Sequence, residues 1–172
     1  MSAVNNLEIE KKFLIEIPDI TVLQTKQGYS RTEIYQTYIN DEKSNLNGRV
    51  RKRGNNGNYV YTITFKQDIT SVTRIEIERE ISESEYNRLL SNRKDGYNTI
   101  VKDRITFIYN DKMFEIDLYP FWSDKAIMEV EFDNEAEADM IKLPPFVKIL
   151  KDVTDDKTFR NSYIALYGTP LV

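Results

Sequence analysis

The 172-residue chain contains no cysteine and no histidine. Without cysteine it has no disulfide, no thiolate metal site and no cysteine nucleophile. Without histidine it lacks the commonest general base, the serine–histidine–aspartate arrangement and any imidazole-held zinc centre. Acid–base chemistry therefore falls to carboxylates, lysine, tyrosine or metal-bound water. A basic excess is missing too: 24 Lys and Arg stand against 28 Asp and Glu, a formal net charge of −4. General nucleic-acid binders are usually basic overall, so anion recognition here is expected to be local and nucleic acid is not an expected partner. No apolar run approaches the roughly 20 residues of a membrane span, and the N-terminus lacks the basic, apolar and small-residue succession of a signal peptide. A cytoplasmic protein without a membrane partner is expected. Repeats and low-complexity linkers are absent, and the length is that of one domain, expected to cover residues 1–172.

What the chain does have is charge in strict alternation. Glu8-Ile9-Glu10-Lys11-Lys12, Arg49-Val50-Arg51, Thr62-Ile63-Thr64-Phe65-Lys66, Glu76-Ile77-Glu78, Lys102-Asp103-Arg104, Glu115-Ile116-Asp117 and Glu129-Val130-Glu131 each place charged or polar side chains two residues apart. A β-strand sends residues i and i+2 to the same face, roughly 6.5–7 Å apart, so each segment reads as a strand with one polar face. If the apolar faces pack outward against helices, the charged faces converge inside a closed antiparallel barrel. Burying so many ions is unfavourable unless they pair, stay hydrated or hold a ligand. A polyanion with a divalent metal satisfies both signs, since carboxylates ligate the metal while Lys and Arg grip phosphate oxygens.

Along the chain, strands are predicted over 5–15, 31–39, 48–53, 59–67, 73–81, 97–109, 112–119 and 125–133. Asp19 caps a short helix to about residue 27, and Gly54-Asn55-Asn56-Gly57 closes one hairpin. Ser82-Glu83-Ser84-Glu85 has the capping-box form and opens a helix, and Asn110-Asp111 makes a two-residue turn. Residues 134–142, 146–150 and 155–167 read as helix. The expected fold is α+β: a closed eight-stranded antiparallel β-barrel, a tunnel with a charged lumen and helices packed outside.

Glu8-x-Glu10-x-Lys12 resembles the ExExK signature of the CYTH superfamily, the triphosphate tunnel metalloenzymes. Arg49/Arg51, Thr62 to Lys66, Glu76/Glu78, Lys102/Arg104, Glu115/Asp117 and Glu129/Glu131 follow in that family's order. Lys151 to Leu166 is similar to the helical segment after the last strand in many bacterial single-domain members. The resemblance implies an eight-stranded tunnel, one or two Mg²⁺ or Mn²⁺ ions, and hydrolysis of a triphosphate, with inorganic tripolyphosphate cleaved to pyrophosphate and phosphate as the leading reading. Alternatives are a class IV-type adenylyl cyclase, a thiamine or nucleoside triphosphatase, and a noncatalytic polyphosphate-binding barrel. Cyclases of this superfamily usually carry a His beside the first motif, and this chain has none.

Carried onto this sequence, the resemblance assigns Lys12, Arg49, Arg51, Lys66, Lys102, Arg104 and Lys151 to substrate. Catalysis is assigned to Glu8, Glu10, Lys12, Arg49, Arg51, Lys66 and Arg104. Glu10, Glu129 and Glu131 are the expected ligands of the main metal, with Glu8 and Asp117 sharing a second ion or its waters. Glu76 and Glu78 are weighed evenly between metal ligation and pairing with Lys66 and Arg51, and Lys102 between substrate binding and a structural role. Arg53 and Glu80 fall at strand ends and read as rim. Tyr38 is set apart from the other tyrosines because some relatives pair a tyrosine with a lysine near the substrate. A small-molecule triphosphate is the expected partner, and a homodimer is left open.

Overall fold

The computed structural model describes residues 6–40, 47–68, 73–170 and 172, with side chains left out at 6–8, 47, 66–68 and 73–76. In chain order the elements are β1 (Asn6–Glu16), α1 (Ile20–Gln24), β2 (Ser30–Ile39), β3 (Asn47–Asn55), β4 (Asn58–Asp68), β5 (Thr73–Ile81), α2 (Glu83–Leu90), β6 (Ile100–Tyr109), β7 (Lys112–Leu118), β8 (Lys125–Phe132), α3 (Glu135–Asp139), β9 (Ile149–Asp152) and α4 (Asn161–Tyr167). A 3₁₀ turn at Lys157–Phe159 precedes α4. No helix among the described residues is long and apolar enough to cross a membrane.

The strands form one nine-stranded antiparallel sheet, ordered β5-β4-β3-β2-β6-β7-β8-β1-β9. This corrects the expectation of a closed eight-stranded barrel. The two ends of the sheet meet only where residues 6–9 of β1 lie against residues 73–76 of β5. From Phe13 to Ile15 the same side of β1 is taken by β9 instead. Because β1 runs for 11 residues and outreaches β5, its C-terminal half presents unpaired backbone groups, and β9 satisfies them. The helix expected over 146–150 is corrected by the same fact. A short apolar run does not distinguish helix from strand by periodicity, and here an open strand edge decides. The helix expected over 155–167 resolves into the 3₁₀ turn and α4.

Local signals elsewhere operate as their chemistry requires. Asp19 caps α1 by accepting from Thr21 N, and Ser82 caps α2 by accepting from Glu85 N at 3.1 Å. Asn110 (φ 48°) and Asp111 (φ 61°) form the β6–β7 turn in the left-handed region, where Asn and Asp are tolerated and which matches strand twist. The β3–β4 hairpin turns more tightly than expected, on Asn56 and Gly57 alone. Just before it, a Cβ on Gly54 would stand 1.9 Å from the Asn58 carbonyl oxygen, so only glycine fits.

Three apolar clusters pack against the sheet among the described residues. Ile9, Phe13, Ile15, Phe107, Phe114 and Met128 on one face of β1 and β6–β8 pack under Leu23 of α1 and Ala138 of α3. Val50, Ile63 and Ile81 on β3–β5 pack under Tyr86 and Leu89 of α2. The third cluster lies at one end of the opposite, polar face. Leu14, Tyr38, Ile100 and Ile127 meet Val153, Phe159 and Ile164 of the C-terminal segment and make an apolar floor. Tyr38 on β2 and Leu14 on β1 are not neighbours in the sheet order, so the polar face curls onto itself above that floor.

Candidate active site

Alternation and register together gather the polar side chains. Arg51 stands opposite Gln36 on β2 and Thr62 on β4, and Arg49 opposite Tyr38 and Thr64. Thr64 faces Glu78, Arg104 faces Asp117, and Glu115 faces Glu129. Lys12 faces Glu129 and Glu10 faces Glu131. Directly opposed residues project to the same side of a sheet, so a single face carries the set.

On the β6–β7–β8–β1 side the charges are mutually satisfied. Arg104 donates through Nε to Asp117 Oδ1 at 2.7 Å, through Nη2 to Asp117 Oδ2 at 2.8 Å and to Glu129 Oε2 at 2.9 Å, and through Nη1 to Glu115. Lys102 Nζ donates to Asp117 Oδ2, and neither side chain has any solvent exposure. Lys12 Nζ lies 2.8 Å from Glu129 Oε1 and 3.8 Å from Glu10 Oε1. Burial alone would neutralise Asp117 and Glu129, yet adjacent cations outweigh it. Arg104 and Lys102 hold Asp117 below its ordinary value, and Lys12 and Arg104 hold Glu129 well below. Arg104 likewise overcomes its burial through Asp117 and Glu115 and sits above the usual arginine value. For Lys102 burial wins over Asp117, and its pKa falls to about 8.

The β2–β3 side has a different balance. Burial lowers Arg51 to about 10, and the positive charges of Arg49 and Arg104 add to the effect. Its contact on this side is Gln36, whose Oε1 accepts from Nη2 at 3.2 Å while Gln36 Nε2 donates to the Tyr38 hydroxyl at 3.0 Å. Burial raises the Tyr38 pKa against the pull of Arg49, Arg51 and Lys12. One side of the site is thus a paired lattice of charge, and on the other the cationic patch of Arg49 and Arg51 is buried, with Arg49 and Arg104 acting on Arg51 more strongly than the carboxylates Glu78 and Asp117.

The structure therefore brings together Glu10, Lys12, Arg49, Arg51, Lys102, Arg104, Asp117 and Glu129, all on the polar face. Glu78 and Glu131 share that face but are exposed, and Glu78 accepts from the Thr64 hydroxyl at 2.7 Å. The backbones of Glu8, Lys66 and Glu76 continue the register, while their side chains lie outside those described. Lys151 stands apart on β9, exposed and paired with Asp156 at 3.2 Å. Arg53 and Glu80 are exposed, as expected of rim positions. Among the described residues no group of three or more acidic side chains is arranged to hold a metal ion. Asp117 and Glu129 direct their oxygens at Lys and Arg, Glu10 lies 3.8 Å from Lys12 Nζ, and Glu131 faces Glu10 in the β1–β8 register.

Several members were not singled out from the sequence. Gln36 lies two residues before Tyr38, so the period of two marks its face, but nothing marks it as the partner of Arg51. Asn161 at the start of α4 accepts from the Tyr119 hydroxyl at 2.8 Å and lies 3.5 Å from Lys102 Nζ. The ring of Tyr119 lies 5.5 Å from the same Nζ. No strand pattern announces a side chain delivered from the C-terminal helix.

Comparison with known proteins bears on this geometry. Residues 6–152 match the CYTH domain. Among solved structures, the inorganic triphosphatase NE1496 is similar at 26% identity and a TM-score of 0.58, over 92% of this chain and 94% of that one. The PH1819 protein of Pyrococcus horikoshii OT3 shares the fold at 21% identity and a TM-score of 0.58, over 77% of this chain and 82% of that one. A conserved hypothetical protein of Pyrococcus furiosus does so at 23% identity and a TM-score of 0.56, over 77% and 84%. No curated protein matches the chain.

Proposed function

The chain belongs to the CYTH domain family, and from that membership we propose that it is a divalent-metal-dependent triphosphatase that hydrolyses inorganic tripolyphosphate to pyrophosphate and phosphate. Family membership and the inorganic triphosphatase NE1496 support triphosphatase activity at the level of the family. The observation that carries the reading for this chain is the buried cationic patch. Arg51 is buried, and Arg49 and Arg104 act on it more strongly than Glu78 and Asp117; burial and these cations depress its pKa to about 10, and a polyanion at this place would offset them.

In-line attack on a terminal phosphoryl group requires neutralised phosphate oxygens, an oriented water and a stabilised leaving group. Arg49, Arg51 and Lys12 neutralise oxygens. Arg104 does so from a fixed position, because Asp117, Glu115 and Glu129 lock its guanidinium. Lys102, anchored by Asp117 and Asn161, holds a proton at Nζ that is more easily released than that of an exposed lysine. Glu10 and Glu131 offer hard oxygen donors on facing positions. Mg²⁺ is commonly held by one or two carboxylates together with substrate phosphates, so Glu10 and Glu131 are the residues that would hold such an ion beside a bound phosphate. A bound ion would withdraw charge from the phosphate oxygens.

Tripolyphosphate is preferred to nucleotides in this reading because the contacts on the polar face address phosphate and no purine-binding element is evident among the described residues. The test is to incubate the protein with tripolyphosphate, ATP or thiamine triphosphate in Mg²⁺ or Mn²⁺ and follow phosphate and cyclic nucleotide. The expected result is phosphate release, with the highest specificity constant for tripolyphosphate. Cyclic AMP with pyrophosphate, or a higher specificity constant for ATP, would overturn the assignment.

A further inference from the structure

We infer that Thr62 is a substrate-binding residue, forming with Arg51 a subsite for an anionic oxygen on the β3–β4 strand pair. Arg51 and Thr62 are directly opposed in the register, so their side chains leave the sheet on the same face. Both are buried, at 8% and 5% exposure. In each residue one buried polar atom has no hydrogen-bond partner, Nε of Arg51 and Oγ1 of Thr62. Buried polar groups are overwhelmingly paired in folded proteins, and orphans on two opposed residues point to one missing acceptor.

The surroundings define what that acceptor is. Arg51 is not adrift: Gln36 holds its Nη2 at 3.2 Å, and Gln36 is itself held by Tyr38. Thr64, two residues along on the same face, spends its hydroxyl on Glu78 at 2.7 Å. The same residue type in the same strand is therefore satisfied by a carboxylate at one position and left open at the other. Nε–H can only donate and the threonine hydroxyl can donate, so the fitting group accepts from both. Arg49 and Arg104 act on Arg51 more strongly than the carboxylates Glu78 and Asp117, which favours an anion there, and a phosphate oxygen has the required charge and acceptor capacity. This deepens the triphosphatase reading and rests on it for the identity of the anion.

The experiment compares wild type, Thr62→Val and Thr62→Ser. Valine replaces the hydroxyl with a methyl of similar size. Because that hydroxyl has no partner in the ligand-free fold, Thr62→Val is expected to melt at the same temperature as wild type or higher. The tripolyphosphate concentration giving half-maximal rate should rise about tenfold, with a smaller change in kcat, as expected for loss of a hydrogen bond to a charged group. Thr62→Ser, which keeps the hydroxyl, should recover most of that loss. A Thr62→Val protein that fails to fold, or melts several degrees lower with unchanged half-saturation, overturns the subsite and makes the hydroxyl structural. Thermal-shift titration with tripolyphosphate and with inorganic phosphate reads binding without turnover. A wild-type protein that binds either anion but hydrolyses none removes the triphosphatase reading, and the subsite is then judged by whether Thr62→Val weakens that binding. A wild-type protein that binds neither overturns the subsite.

Discussion

Arg104 grips Asp117 with two prongs, Nε to Oδ1 at 2.7 Å and Nη2 to Oδ2 at 2.8 Å, and the carboxylate so held has no solvent exposure. Lys102 shares the same carboxylate. Removing one partner from a buried charge lattice strands the others, and such losses run at about 3–5 kcal/mol. Arg104→Ala is therefore expected to destabilise the ligand-free protein on that scale in urea unfolding. A loss below about 1 kcal/mol, the range of exposed pairs, would show that the lattice is solvated.

Arg51 should behave in the opposite way, although it lies on the same face. It is buried where Arg49 and Arg104 act on it more strongly than Glu78 and Asp117, and burial already depresses its pKa to about 10. Arg51→Met keeps the apolar stem and removes the repulsion, so ligand-free stability should be unchanged or higher while triphosphate hydrolysis falls by more than about tenfold. Arg51→Lys should not restore the rate, because a lysine cannot reproduce the fork that Gln36 orients. Thermal melting and steady-state kinetics on both variants decide this. A large drop in melting temperature with activity intact would make Arg51 structural.

The period of two accounts for how much of this was legible. Glu10 and Lys12, Arg49 and Arg51, Lys102 and Arg104, and Asp117 and Glu129 fall on one face because alternation fixes the face of every residue in a strand. It does not fix partners. Nothing in Lys102-Asp103-Arg104 tells that Asp117 is taken by both of its flanking cations, or that Gln36 orients Arg51. Closure was not legible either: alternation is the same in an open and a closed sheet, and the deciding fact is that β1 outreaches β5 and accepts β9 at the vacant edge. A helix was expected over 146–150, whereas Ile149–Asp152 forms β9, because a four-residue apolar-and-polar run is placed by the edge it meets, not by its own pattern. Asn161 reaches Lys102 from a helix distant in sequence, a contact that no strand periodicity encodes.

Acid sensitivity follows from Asp117. Its folded-state pKa lies below the unfolded value of about 3.9, because Arg104 and Lys102 outweigh burial. A depressed carboxylate contributes stability that is fully present above the unfolded pKa and is lost as pH falls through the folded one. Urea midpoints should thus be flat above about pH 5 and fall steeply below about pH 4, and Asp117→Asn, less stable throughout, should show a shallower fall. An equally steep acid limb in Asp117→Asn would assign it to other carboxylates.

The proposed metal dependence is tested at Glu10 and Glu131, which face each other across β1 and β8. If this pair holds the divalent ion, hydrolysis of tripolyphosphate should disappear in EDTA and return with Mg²⁺ or Mn²⁺. Glu10→Gln or Glu131→Gln should cost well over tenfold in rate, on the order of the losses seen when the shell of a metal site is disturbed. Glutamine keeps the size and one oxygen donor but removes the negative charge, so the loss should shrink as metal concentration rises if the effect is on metal affinity. Glu137 supplies the control: it is an acidic residue of α3 whose carboxylate pairs with Lys112 at 2.6 Å, away from the polar face. Glu137→Gln should leave both rate and metal dependence near wild type. Hydrolysis that survives EDTA, or that persists unchanged in both Glu10→Gln and Glu131→Gln, would exclude this pair as the metal site and separate the cationic patch from any metal-assisted chemistry.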